Sequence, residues 1–539
     1  MLHHSILLIL SLLFAISMLY MLSKKINISY PILLVLAGLV IAVMPGMPLV
    51  ELKPDMVFLI FLPPLLYAAA WNTSWKDFWA HRKPIGLLAI GLVVFTSIAI
   101  AFVAQALIPG LPLIYGFLLG GIISPPDAIA ATSVLQQLKI PRKIVTILEG
   151  ESLINDASSL IVFRFSLMAI LTGSFSVGAA IGNFFVVAGM GVLVGIAVAL
   201  LVYAAHKYLP TDPATDTALT LITPYIMYLI AETFHFSGVM AVVSGGLFLS
   251  NRSHEIFAYN SRLHNYSVWN VLVYLLNGLV FILIGLQLPS IVQGLERESL
   301  ATALWYGVII SIVTIIIRIV WVFSETYLPR LLFLSIRKTE PRPPANAVFL
   351  IAWSGMRGVV SLAAALSIPL SLDNGEAFPY RNLLLIISFV VILFTLVIQG
   401  LSLPWLIKKL NIKDENEELE ADVNLAIKLH LAEAVVDYLK QNYSAEIEAQ
   451  SAYSIVLERY EQLAQNTYQR IVEGEMGQSA EVAHQYKQML RELVQVKRKA
   501  LHSLTAQELY SLEAIREKER ALDLEEARLS QGGEPLYNI

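Results

Sequence analysis

Apolar runs long enough to cross a bilayer recur through the first 410 residues, and this recurrence sets the solvent of the fold. A helix needs about 20 mostly apolar residues to span the hydrocarbon core. Such runs fall at 5–22, 29–44, 54–71, 83–108, 111–137, 143–170, 176–208, 215–234, 236–252, 268–290, 303–330, 345–370 and 381–410. They predict thirteen transmembrane helices, with a very tight turn at "AETFHFSGV" between the eighth and ninth. The first run has its basic residues, Lys24 and Lys25, behind it and no small-x-small site before them. It reads as a retained helix, not a removable signal.

Composition agrees. Hydrophobic residues make up 57% and charged residues 14%, against about 25% charged in a soluble globule. Cysteine is absent, which excludes disulfides, thiolate metal sites and thiol redox chemistry. The charge is split along the chain. Residues 1–410 hold 23 basic against 17 acidic side chains, whereas 411–539 hold 14 against 24. A transmembrane domain, 1–410, and an acidic soluble domain, 411–539, are therefore expected.

Orientation follows from the loops, because cytoplasmic loops collect Lys and Arg. Connections after odd-numbered runs carry seventeen basic residues, from Lys24 to Lys409, and those after even-numbered runs only Lys53, Arg297 and Arg381. The N-terminus is expected outside and the tail in the cytoplasm.

Two runs contain interruptions. The fifth holds "GGIISPPDAIAA", where Pro125 and Pro126 remove backbone donors. The twelfth holds "AWSGMRGVVSLAA", with Gly355 and Gly358 around Arg357. In lipid, such backbone survives only where protein or a wet cavity satisfies it. The breaks lie seven runs apart. Six-helix repeats joined by one linking helix place both at position five, and an odd offset makes the repeats inverted. Inverted repeats with paired discontinuous helices mark secondary transporters, with the site where the half-helices meet. The alternative is two unrelated kinks.

Ionisable groups in mid-membrane are costly and need a reason. In "EGESLINDASSLIVFRFSL", Ser152 and Asp156 share one helical stripe, and Glu151 and Asn155 the next. Asp156 can hold a proton or a hard monovalent cation, and it is the first candidate for an exchanging group. Asp127 either caps the second half of the fifth helix or ligates the ion, and the freed carbonyl of Pro126 offers a further oxygen. Asp156 and Asp127 thus offer hard oxygens to a monovalent cation, with Ser152 on the stripe of Asp156. Glu151 and Arg318 have complementary charges and are expected to pair as a bridge that holds the core. Arg357 is expected to compensate helix-dipole ends or a nearby carboxylate in support of the broken helix. Arg164, toward the outer end, is expected to snorkel and receives no transport role. His235 beside Glu232 reads as a solvated turn residue. There is no zinc-protease, nucleophile-elbow or phosphate-loop motif, so neither an enzyme nor an ATP-driven pump is expected, and no cofactor or nucleic-acid partner.

The stretches "FLPPLLYAAAWNTSW", "ISPPDAIAATSVLQQLKIPRKIVTILEGESLINDASSLIVFRF" and "WSGMRGVVSLAAALSIP" resemble bacterial sodium/proton exchangers of the monovalent cation:proton antiporter-1 family, the NhaP-like proteins. The resemblance covers most of 1–410. It implies a thirteen-helix homodimer in the bacterial inner membrane, with a dimerisation part and a six-helix core that moves as an elevator. It implies Asp156 as the exchanging carboxylate and Asn155 as its Asn-Asp partner, with Asp127 and Ser152 as ligands or supports. It also implies Glu151 with Arg318 as the core bridge, and electroneutral one-for-one exchange of sodium and protons. Two departures stand out. Ala68 occupies a position that is often acidic in such proteins, and Pro-Pro precedes Asp127 where many have Thr-Asp-Pro. Selectivity among sodium, lithium and potassium is not encoded in residue types alone. The alternative function is a proton-uncoupled cation channel or a membrane scaffold with structural buried charges.

The tail, from "IKDENEELEADVNLAIKLHLAEAVVDYLK" onward, has apolar residues at three- and four-residue spacing. Helices are expected at 412–440, 447–473, 478–504 and 506–528, serving to sense ions or pH, to bind a partner, or to support the dimer.

Overall fold

The computed structural model describes residues 2–26, 28–44, 58–135, 140–173, 177–292, 297–332, 342–372 and 375–410. In the tail it describes 417–473, 488–490, 492–501, 518 and 522–527. Two compact units emerge, Met1–Asp414 and Glu415–Ile539. Among the described residues the regular elements are helices, and the one isolated β-bridge joins Ser371 to Ala377.

In the first unit the helices are α1 (Leu2–Ile26), α2 (Tyr30–Val43), α3 (Leu62–Asn72), α4 (Trp75–Ala80) and α5 (Arg82–Leu107). Then follow α6 (Leu113–Ile123), α7 (Ala128–Leu135), α8 (Arg142–Thr172), α9 (Val177–Tyr208), α10 (Pro213–Thr233) and α11 (Gly238–Asn251). The unit ends with α12 (Tyr259–Leu286), α13 (Arg297–Leu332), α14 (Ala345–Trp353), α15 (Val359–Leu366) and α16 (Arg381–Leu410). Among the described residues, α1, α5, α8, α9, α10, α12, α13 and α16 are long and apolar enough to cross a membrane. Other apolar helices are shorter: α2, α6, α11 and the stretch Phe58–Asn72 that contains α3.

Polar side chains inside these helices turn back on their own backbone, as lipid demands. Ser97 donates to the Val93 carbonyl (2.8 Å), Ser311 to Gly307 (2.6 Å) and Thr314 to Ile310 (2.7 Å). Starts and stops follow local chemistry. Asp212 caps α10 through the Thr215 amide, with Pro213 as the first helical residue. Between α10 and α11 His235 takes a positive φ of 60°, which makes the tight turn at "AETFHFSGV". The tenth apolar run begins at 268, but α12 starts at Tyr259. Its added turns are polar and keep helical bonding beyond the apolar stretch, so hydrophobicity alone places the start too late.

The apolar side chains form two large clusters, and α8 belongs to both. Ile144, Ile147, Leu148 and Phe163 pack in one with Ile122, Leu350 and Ile387. Leu153 and Ala157 pack in the other with Tyr67, Met227 and Val242. In the second unit the tail forms Glu417–Asn442, Ser444–Ala449 and Ser451–Glu473, and the first and third of these pack together. The break at 443 falls inside the expected gap between tail helices. Most of 478–504 and 506–528 lies outside the described residues.

Candidate functional site

Two interruptions in helix face each other. After Ile123 the chain leaves helix for residues 124–127 and resumes with α7 at Ala128, and after Trp353 it leaves helix until α15 begins at Val359. The Asp127 amide donates to the Met356 carbonyl at 2.6 Å, so the two segments are joined backbone to backbone. A Cβ on Gly358 would collide with the Asp127 carboxylate, and one on Gly355 with the Arg318 guanidinium. Glycine at these positions lets charged groups reach the backbone.

Side chains of α8 complete the first interruption. Ser152 accepts from the Ala128 amide at 3.3 Å, which satisfies a donor at the start of α7. Asn155 is fully buried and donates to the Pro126 carbonyl at 2.9 Å. The carbonyl expected to be free is therefore engaged, because the nearby amide of Asn155 supplies the donor its broken helix lacks. Among the described residues, Asn155 Oδ1 is buried without a hydrogen-bond partner.

Arg357 satisfies the second interruption. Its Nε donates to the Ile123 carbonyl at 3.0 Å, at the C-terminal end of α6, and its Nη1 donates to the Gly355 carbonyl. Its backbone amide donates to Thr395 Oγ1 at 3.1 Å. Thr395 opens a π-helical turn within α16, Thr395–Gln399, and Gln399 Nε2 donates to the Trp353 carbonyl at 2.9 Å. One turn of α16 thus bonds both edges of the break. Sequence reasoning passed over Thr395 and Gln399, although two polar residues four apart in an otherwise apolar helix were a readable signal.

Arg318 and Glu151 form a two-armed pair, with contacts of 2.6 and 2.8 Å, and each is 1% exposed. The remaining donors of Arg318 meet the Ala352 carbonyl (3.1 Å) and the Ile351 carbonyl (3.3 Å) at the end of α14. The pair links α8, α13 and α14. Burying two charges is costly, and only this full hydrogen-bonding makes it tolerable.

A cavity of about 1180 Å³ runs beside these elements. Asp127, Ser152 and Asp156 line it, as do Tyr30, Asn277 and Ser361, and it extends to the exposed Lys24 and Lys408. Ala68 lines it too. Of the residues singled out in the sequence, Asp156, Asp127 and Ser152 share this wall. Asn155 and Arg357 brace the interruptions, and Glu151 with Arg318 lies behind them. The oxygens around the cavity are hard donors suited to a small cation or a proton.

Arg164 stands apart. It pairs with Glu232 at 2.7 Å on a largely exposed surface, where a partner 68 residues away replaces the expected snorkelling. His235 lies exposed in its turn. Sequence reasoning also missed His206 and Asp216, which make a buried contact of 2.8 Å between α9 and α10. Both fall near predicted helix ends, where polar residues read as solvated.

The model of the sodium/hydrogen exchanger transmembrane family matches residues 9–409. A sodium, potassium, lithium and rubidium/H+ antiporter of Bacillus pumilus is 32% identical over 74% of this chain, which spans 60% of that relative's length. An uncharacterized Na+/H+ exchanger of Mycobacterium bovis is 30% identical over 94% of this chain and 93% of its own length. The solved structure of the sodium proton antiporter from Methanocaldococcus jannaschii at pH 8 is similar with a TM-score of 0.60. It covers 76% of this chain and 99% of that one at 20% identity, and so shares the fold. By its family match, its relatives and its helical architecture, this multi-pass membrane protein belongs to the sodium/hydrogen exchanger family.

Proposed function

We propose that the chain exchanges sodium for protons across the bacterial inner membrane, with cation and proton competing for Asp156. The observation that carries this is the convergence of Asp156, Ser152 and Asp127 on one cavity beside two joined interruptions in helix. A carboxylate there binds either a cation or a proton, and that exclusion is what couples the two fluxes. Asp127 and Ser152 add oxygens, Asn155 holds the Pro126 carbonyl in place, and the Glu151–Arg318 pair keeps α8 rigid. Lithium and potassium are further candidate substrates, since all carry the same charge to the same oxygens.

In this reading thirteen helices cross the membrane as inverted repeats of six, and the interrupted fifth and twelfth helices are the symmetry-related pair. The N-terminus lies outside and the tail, 411–539, in the cytoplasm, so the cavity with Lys24 and Lys408 at its mouth opens inward. A homodimer carries a core that moves as an elevator, exchanging one sodium for one proton. The names of the relatives, which include sodium and potassium antiport, support the substrate class.

The test is sodium-driven proton flux in proteoliposomes, wild type against Asp156→Asn. Loss of exchange in the variant is expected. Sodium entry without proton movement in the wild type would instead support a channel.

A further inference from the structure

Among the described residues, five charged side chains line the cavity: Lys24, Lys408, Asp127, Asp156 and Glu149. The two lysines are exposed, near the ends of α1 and α16. A cation entering past them meets two ammonium groups before it meets a binding carboxylate. Among the described lining residues, Glu149 is the one carboxylate other than Asp127 and Asp156.

The position of Glu149 follows from α8. Glu149, Ser152 and Asp156 are spaced i, i+3 and i+7, so they lie on one face. At 1.5 Å per residue, Glu149 stands about 10 Å nearer the start of the helix than Asp156. That is too far for both carboxylates to ligate one ion, yet close enough to pass it on. Among the described residues the Glu149 side chain has neither an ion pair nor a hydrogen bond, and it is half-buried. Its neighbour Glu151 differs in kind, being fully buried and committed to Arg318. A carboxylate without a partner, on a cavity wall between a basic mouth and a deep acidic pair, has no structural debt to discharge.

We infer that Glu149 is an entry site for the transported cation. It holds a hydrated monovalent cation on its carboxylate, offsets the field of Lys24 and Lys408, and raises the ion's concentration beside Asp156. This rests on the exchange reading above and adds a second station to it. A carboxylate on a cavity wall raises the local concentration of cations, and the effect weakens as salt screens it.

Sodium-driven proton flux by the full chain in proteoliposomes tests this, at low and high ionic strength set with choline chloride. At low ionic strength Glu149→Gln is expected to raise the apparent KM for sodium about threefold to tenfold, with the maximal rate falling less than about twofold. At high ionic strength the two KM values converge. Glu149→Asp keeps the carboxylate and stays close to wild type, and Glu149→Ser behaves as Glu149→Gln. An unchanged KM at low ionic strength, or a lower maximal rate with KM unchanged, overturns the entry site. If the wild type shows no sodium-driven flux, or Asp156→Asn still exchanges, the exchange reading itself falls and takes the entry site with it. A wild type that exchanges beside an indistinguishable Glu149→Gln defeats the entry site alone.

Discussion

Gly358 has no space for a side chain, because the Asp127 carboxylate occupies it. In Gly358→Ala the added methyl displaces that carboxylate, and misplacing a group at a reacting site costs up to about a hundredfold. Sodium-driven exchange is expected to fall by about tenfold or more while the protein still inserts; flux near wild type would show that the place of Asp127 does not matter. Glu151→Gln makes a different demand. It leaves the Arg318 guanidinium buried without its counter-charge, at a cost of about 3–5 kcal/mol. A lower melting temperature in detergent is expected, with reduced folded yield. This pair was legible in the sequence because a lone charge in mid-membrane has to find its opposite, and few were on offer. The contact of Arg164 with Glu232 was not, since an exposed arginine near a helix end can be satisfied by water or headgroups equally well.

Helix α16 supports the site at a distance from the cavity that its end lines with Pro404 and Lys408. Its π-helical turn places Thr395 and Gln399 against the Arg357 amide and the Trp353 carbonyl, and such turns often accompany functional breaks. Thr395→Val keeps the shape but removes the acceptor, leaving a buried N–H unpaired at about 1–3 kcal/mol. The variant is expected to melt earlier and Thr395→Ser to stay near wild type; equal melting of all three would assign the turn no supporting role. Helix positions were largely legible, because lipid forces apolar runs to a fixed length. The π-turn was not, since one extra residue per turn leaves the composition unchanged. The start of α12 was hidden for the reverse reason: its first turns are polar yet still helical.

For the whole molecule, the division at Asp414 matters most. The first unit contains both large apolar clusters and every residue lining the cavity. A chain ending at Asp414 is therefore expected to insert and to melt within a few degrees of the full protein, measured by fluorescence thermal shift in detergent. A collapse in yield would make the tail part of the fold. The change of charge near residue 410 was readable in the sequence, but the purpose of the tail was not, since it carries no motif with a chemistry of its own. One joint in the first unit belongs to no side chain: the Asp127 amide meets the Met356 carbonyl. Every residue except proline supplies that amide, and every residue supplies that carbonyl. Alanine scanning would pass over this joint between the two interruptions, though not over the Arg357 side chain that also bridges them through the Ile123 carbonyl. Sequence can drift at Met356 while that joint persists, whereas Asp127 also presents its carboxylate to the cavity.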